Sequence, residues 1–400
     1  MEFSSGKNFV ILQFIYLLLM PDIAVNLDIE KDNTIRDVEG YFAKLNDDIS
    51  EVNIKLPRHH RMTLFKDSWI TSLIATASRG RRLNITDWNS VMDQTQIKNR
   101  FSNSLIGITS AFMADEISNV RHEKYNIDIN EIIEHIVFDQ NGVIEDSESG
   151  KAYVFCSFDS TDEYENFPRP LALTSSTKEE FIRKFLDFKR EKIDSTSKST
   201  GQLHFAYPAE WDLPSLIFEL YENTNQHGRY DGSNNIIKGV RAFSIRRHIA
   251  NNYTNLVEQA EEFEELQKYI ESIGVKRNLR FYEISITDNG MGIVDRLLGT
   301  RPELVKGVGF EQMSPADKLN FIISRTLSSK LYPGSGLGLI TALRNLEKMR
   351  GFLSLRTGDQ WVFFDGNRKS AGQLKLVPIK NTESLSKITG THYNILIPAT

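Results

Sequence analysis

Residues Leu279 to Gly292 read LRFYEISITDNGMG, and the fold turns on this stretch. Apolar and polar residues alternate up to Thr287, which predicts a strand, and Asp-Asn-Gly-Met-Gly follows at once as a glycine turn. Asp288 is an acceptor-only carboxylate at a strand end, suited to taking the exocyclic amine of a purine. Gly290 and Gly292 let backbone approach a ligand without a Cβ clash. Alone, the same residues also fit an ordinary Asp-Gly turn.

Two neighbouring patterns must be weighed with it. Downstream, GSGLGLITALRNLEKMRG (334–351) is a glycine run that opens a helix, with Leu339, Ala342, Leu343 and Leu346 on one face. Backbone amides at such a helix start form an anion site, so Gly334, Gly336 and Gly338 are phosphate-binding candidates. No Gly-Lys-Ser/Thr follows, which excludes a Walker loop, and the preceding LSSKLYP is lid-like rather than a strand, which argues against a dinucleotide fingerprint. Lys330 precedes the run, where an ammonium can pair with a terminal phosphate. Upstream, WDLPSLIFELYENTNQHG (211–228) predicts a helix ending at Gly228. Glu219 and Asn223 are four residues apart and share a face, one able to deprotonate water and the other a hard oxygen ligand for Mg²⁺. His227 closes the helix, where a histidine near the negative dipole end also has a purely structural use.

Glu-x-x-x-Asn on a helix, Asp-x-Gly-x-Gly after a strand and Gly-x-Gly-x-Gly before a helix, in this order, resemble the GHKL ATPase superfamily, the Bergerat fold of gyrase, Hsp90, MutL and histidine kinases. Gly390-Thr391 before HYNILIP looks like its closing element. The resemblance covers about residues 203–400. It implies a Bergerat α/β sandwich with a mixed sheet covered by helices (202–400); the strand-helix-strand spacing over 52–86, outside the resemblance, reads as a smaller α/β domain (1–200), and the two together make an α+β fold. It also implies ATP and Mg²⁺ as ligands: Glu219 positions the attacking water, Asn223 holds Mg²⁺, Asp288 reads adenine with support from Thr391, and Gly290, Gly292, Gly334, Gly336, Gly338 and Lys330 belong to the phosphate loops and lid. The gap from Asn223 to Asp288 is longer than usual in the family, and no histidine-bearing dimerisation helix of the histidine-kinase kind is recognisable.

The leading expectation is an ATP-hydrolysing regulatory protein whose lid state is read by the first domain or a partner. A second reading is a serine kinase of the anti-sigma-factor type, since ELYENTNQHG resembles the Asn helix of those kinases; its partner would be STAS-like. A third is a non-hydrolysing sensor or scaffold, and a homodimer is admitted by all three. Only Leu339 to Thr400 follow Gly338, which leaves no room for a transducer domain and turns the expectation away from DNA repair or topoisomerase activity.

The rest of the chain sets limits. Lys+Arg 48 against Asp+Glu 53 gives a formal net charge of -5, so there is no global positive field for nucleic acid or anionic lipid. The single cysteine, Cys156, cannot form an internal disulfide, as expected of a cytoplasmic protein. The apolar run Phe9–Met20 is shorter than the roughly 20 residues that span a bilayer, and neither a basic start nor an A-x-A site marks it as a signal peptide, so a buried strand or helix is the plainer reading. Strands are expected at 52–57, 82–86 and 153–158, and helices at 64–79 (amphipathic), 101–120, 129–137 and 178–193. DSTSKSTG (194–201) reads as a linker and sets the domain boundary. Beyond it, 240–245 predicts a strand, 255–273 an acidic helix, and 293–333 a polar stretch of weak periodicity. His59 and His60, between Arg58 and Arg61, are adjacent and cannot easily face one ligand, which favours a structural or partner-contact role over a metal site.

Overall fold

The computed structural model describes residues 23–45, 48–57, 64–88, 92–138, 143–147, 150–159, 177–193, 209–250, 257–258, 260, 263–273, 279–328, 336–368, 374–380 and 385–399. The run Phe9–Met20, the pair His59 and His60, the stretch 194–201, Lys330 and Gly334 lie outside the described residues.

The protein is α+β, with one parallel and one antiparallel sheet. Strands β1 (Ala24–Asp28), β2 (Glu51–Leu56), β3 (Arg82–Asp87) and β4 (Glu116–Asn119) lie in chain order in a four-stranded parallel sheet. Its crossovers are α1 (Ile35–Phe42), α2 (Lys66–Ala77), and the pair α3 (Gln94–Ser102) and α4 (Leu105–Met113). Thr34 starts α1 with a full capping box, and Ser104 starts α4 by accepting the Gly107 amide, so the helix expected over 101–120 is instead the end of α3, α4 and β4. Helix α5 (Ile129–Phe138) follows.

The second sheet has eight strands: β5 (Val143–Ser147), β6 (Gly150–Asp159), β7 (Gly239–Ala250), β8 (Leu279–Thr287), β9 (Phe352–Thr357), β10 (Gln360–Asp365), β11 (Val377–Pro378) and β12 (Thr391–Ala399). Their spatial order is β11-β10-β9-β12-β8-β7-β6-β5. Every pairing is antiparallel, which corrects the expectation of a mixed sheet. The sheet also draws β5 and β6 from the chain before residue 194, so strand partnership crosses the boundary expected at 194–201. Periodicity marks a strand but not its partner, which is why the sequence placed Tyr153–Phe158 in the first domain.

Both faces of this sheet are buried. Tyr153, Phe155, Phe243, Ile245, Ile284 and Leu353 face a core that they share with α6 (Lys178–Phe188), α7 (Ala209–His227), α10 (Pro315–Ser324) and α11 (Gly338–Lys348). The alternate residues Val154, Cys156, Ala242, Phe281 and Phe352 join a second core with Trp69, Ile70 and Leu73 of α2 and Leu266, Tyr269 and Ile270 of α8 (Glu264–Ser272). Helix α2 is therefore enclosed between two sheets, and Ser68, Thr71 and Ser72 are as buried as its apolar residues. The expected amphipathic face disappears because both sides are inside. Trp69 packs edge-on against Trp361 of β10, with ring centroids 4.6 Å apart.

Polar side chains stitch α1 and α2 to the second sheet. The Phe65 amide donates to Glu283 Oε1 at 2.6 Å, His248 bonds Glu283 Oε2, and Arg246 Nη2 donates to Asp67 Oδ2 at 3.1 Å. Burial pushes Glu283 up, yet His248, Arg246 and the Phe65 amide outweigh it and hold the carboxyl below its usual range. Arg356, 1% exposed at its side chain, pairs with Glu39 of α1 at 2.7 Å and donates to the Ser386 carbonyl at 2.6 Å. We expect Arg356→Ala to destabilise the whole protein by about 3–5 kcal/mol, because Glu39 and buried carbonyls lose their donor at once. Chemical denaturation checks this: one cooperative transition should move as a unit, and a shift under about 1 kcal/mol would mean that the layers do not depend on this pair.

No described helix is long and apolar enough to cross a membrane.

Candidate functional site

Four chain segments converge at one end of β8 and β12. Asp288 leaves β8 buried, and its Oδ1 accepts the amides of Gly290 at 3.0 Å and Thr391 at 3.2 Å. Its own amide donates to the Thr391 carbonyl at 3.0 Å, so the two strand ends are locked together. Burial raises the Asp288 carboxyl to about 7, against the pull of the Gly290 and Thr391 amides and of Arg241. Thr391 is itself buried, with its hydroxyl 3.1 Å from that of Thr357.

Glycines let the backbone pack closely around Asp288. A Cβ on Gly228, just beyond α7, would lie 2.3 Å from Asp288 Cγ. One on Gly390, whose φ is +78°, would lie 1.7 Å from the Asp288 carbonyl oxygen. Gly290 packs against the Gly228 backbone, and Gly292 leads into α9 (Ile293–Thr300) beside Thr357. The stretch expected to be irregular over 293–333 thus holds α9 and α10, the latter started by Ser314 as cap with Pro315 behind it.

Helix α7 runs from this end of the site to the start of α11. The nine steps from Glu219 to Gly228 cover about 13.5 Å along the helix axis. A Cβ built on Gly338, the first residue of α11, would lie 3.1 Å from Glu219 Oε2 and 3.4 Å from Asn223 Oδ1. Leu337 gives α11 no capping side chain, so its first-turn amides need another acceptor. Gly336 precedes it with φ +98°. Burial and the nearby Asp288 charge push the Tyr393 hydroxyl of β12 up, against the pull of the Asn223 side chain, so Tyr393 lies near both ends of the site. Glu219 and Asn223 thus meet Gly338 toward one end of α7, and Asp288 and Gly290 meet Gly228 at the other, with Thr391 bonded to Asp288; Gly292 lies instead against Thr357 and Gly390, and Gly336 against the Thr326 and Leu327 carbonyls, while His227 closes the helix as its last residue.

The sequence reading missed several charged residues here. Lys178, the first residue of α6, donates to Glu219 Oε1 at 2.6 Å. Arg241 is buried on β7, donates to both Asp159 oxygens at 2.5 and 3.0 Å, and also bonds Asn225. Its signal was a cation inside the apolar strand VRAFSI. Arg79, just past the end of α2, donates to the Asn289 carbonyl, and Thr76 Oγ1 accepts the Thr389 amide at 3.1 Å. The end of α2 thus clasps both loops that hold Asp288, a contact between distant parts of the chain that local spacing cannot reveal.

Chemically, one end offers a buried acceptor for an amine, and the other offers the start of a helix without a capping side chain beside two hard oxygens. Among the described residues no group of three or more His, Cys, Asp or Glu gathers to hold a metal by itself, so a cation between Glu219 and Asn223 would need ligand oxygens as well. Neither protein-family models, nor curated proteins, nor solved structures match this chain.

Proposed function

We propose that this site binds ATP with Mg²⁺ in the manner of a GHKL ATPase and hydrolyses it. The observation that carries the reading is the arrangement along α7: Gly228 against Asp288 at one end, Asn223 and Glu219 against the uncapped start of α11 at the other. An extended nucleoside triphosphate has the matching polarity, with an exocyclic amine at one end and anionic oxygens at the other.

In this reading Asp288 accepts the adenine amine, with Thr391 beside it, and the amides of α11 take phosphate oxygens. The donor set suits Mg²⁺: Asn223 Oδ1 is a hard oxygen facing the same space as Glu219 Oε2, and when bound the ion would neutralise phosphate charge. Glu219 takes a proton from water as the water oxygen bonds to the γ-phosphorus and the bridging bond to the β-phosphate breaks, leaving ADP and phosphate. The clasp of Arg79 and Thr76 on the Asp288 loops gives the first sheet's helices a direct contact through which nucleotide state can be read.

The sensor reading is favoured by one observation, the 2.6 Å bond from Lys178 that occupies Glu219 Oε1. Asn223→Ala separates the ion from the base: it should abolish the gain in ATP affinity on adding Mg²⁺ while leaving metal-free binding close to wild type. Calorimetry with and without Mg²⁺ measures both. A mutant that keeps the full Mg²⁺-dependent gain removes Asn223 from the metal site.

A further inference from the structure

Away from the site above, a cavity of about 420 Å³ opens where β1, β2 and β3 end. Its walls include Asp28, Glu30, Lys31, Lys55, Pro57 and Trp88. All of them stand on, or just after, the carboxyl ends of parallel strands, the edge where open α/β sheets hold ligands. The volume falls in the range of small-molecule pockets.

The lining is specific in charge. Asp28 and Lys55 are register partners on neighbouring strands, and Glu30 and Lys31 add one charge of each sign. Among the described residues none of these four makes an ion pair. Two carboxylates repel a simple anion such as phosphate, and two ammonium groups repel a polyamine, so the set suits a ligand that carries both signs close together. Trp88 is 50% exposed, and the Lys55 ammonium stands 4.6 Å from its ring centroid. An anionic group pairing with Lys55 would sit beside that ring, which offers its surface to a planar or apolar substituent. Among the described residues no helix covers the outer face of the parallel sheet, where Asn84 donates to Asn53 at 3.0 Å and Lys55 is half-buried, although parallel sheets are ordinarily covered on both faces.

We propose that this cavity is a binding site for a small zwitterion, a free amino acid whose carboxylate meets Lys55 and Lys31, whose ammonium meets Asp28 and Glu30, and whose side chain covers Trp88. The inference does not depend on ATP, so its failure leaves the nucleotide reading standing.

The test is calorimetric titration of the full chain with each proteinogenic L-amino acid, with acetate and ethylamine as single-charge probes. At least one amino acid should bind one-to-one, and Lys55→Met and Asp28→Asn should each weaken it about tenfold or more, as expected for losing a hydrogen bond to a charged group. Trp88→Ala should weaken it as well, with unchanged circular dichroism in all three variants. Tryptophan fluorescence gives an independent reading: the ligand should change emission in wild type, and Trp88→Phe should remove that change. No saturable binding by any amino acid, binding that survives both charge substitutions, or acetate or ethylamine binding as tightly as the amino acid would overturn the proposal.

Discussion

Glu219→Ala should hydrolyse ATP about 10²- to 10⁴-fold more slowly than wild type while binding ATP and Mg²⁺ nearly as well. The carboxylate lies on α7 one turn before Asn223, and its Oε2 faces Gly338 at the start of α11. It is more than two helical turns from Gly228, which packs on Asp288, so removing it leaves the adenine end untouched. Single-turnover hydrolysis with labelled ATP, alongside equilibrium binding, separates the two effects. Hydrolysis at the wild-type rate would exclude Glu219 as the base. A wild type that binds ATP without any turnover would hand the site to the sensor reading, in which Lys178 keeps Glu219 occupied.

Asp288→Asn should weaken ATP binding by about tenfold to a hundredfold, the loss of a buried charge-assisted hydrogen bond, without unfolding the protein. The side chain is nearly isosteric, and the Gly290 and Thr391 amides retain an oxygen acceptor. The pH profile gives a second reading of the same residue. With its carboxyl raised to about 7 by burial, the empty protein holds a proton there below that pH. The adenine amine is best met by the ionised acceptor, so ATP affinity should fall as pH drops below about 7 and level off above it, and Asp288→Asn should flatten this dependence. The same shift makes the empty native state bind a proton that the unfolded chain has already released between the ordinary carboxyl range and about 7. Stability contributed by this group therefore falls as pH rises through that window.

Local elements with a strong period were legible in the sequence. EISIT, VRAFSI and YNILI each lie within a strand, and WDLPSLIFELYENTNQH lies within α7 with Pro214 near its start. Three kinds of information were not. Start signals were passed over where periodicity was weak: Thr34 before α1, Ser104 before α4 and Ser314-Pro315 at α10. Partnership between distant strands was invisible, so β6 was placed in the first domain although it pairs with β7. Burial from two sides was misread at α2, expected to be amphipathic although its serine and threonine residues are buried as well. For the site, motif order named the residues along α7, β8 and α11. Lys178, Arg79 and Arg241 reach the same place by tertiary packing and leave no mark in local spacing.

The central claim is that the buried carboxylate of Asp288 accepts an amine at the base end of a nucleotide triphosphate. The most direct measurement is calorimetric titration of the wild-type chain with ATP and with GTP, both with Mg²⁺ at pH 8. Adenine presents an amine donor where guanine presents a carbonyl acceptor, and an acceptor facing a buried carboxylate is repelled. The account predicts one-to-one ATP binding with GTP at least about tenfold weaker. Equal affinity for the two, or no binding of either, would contradict it.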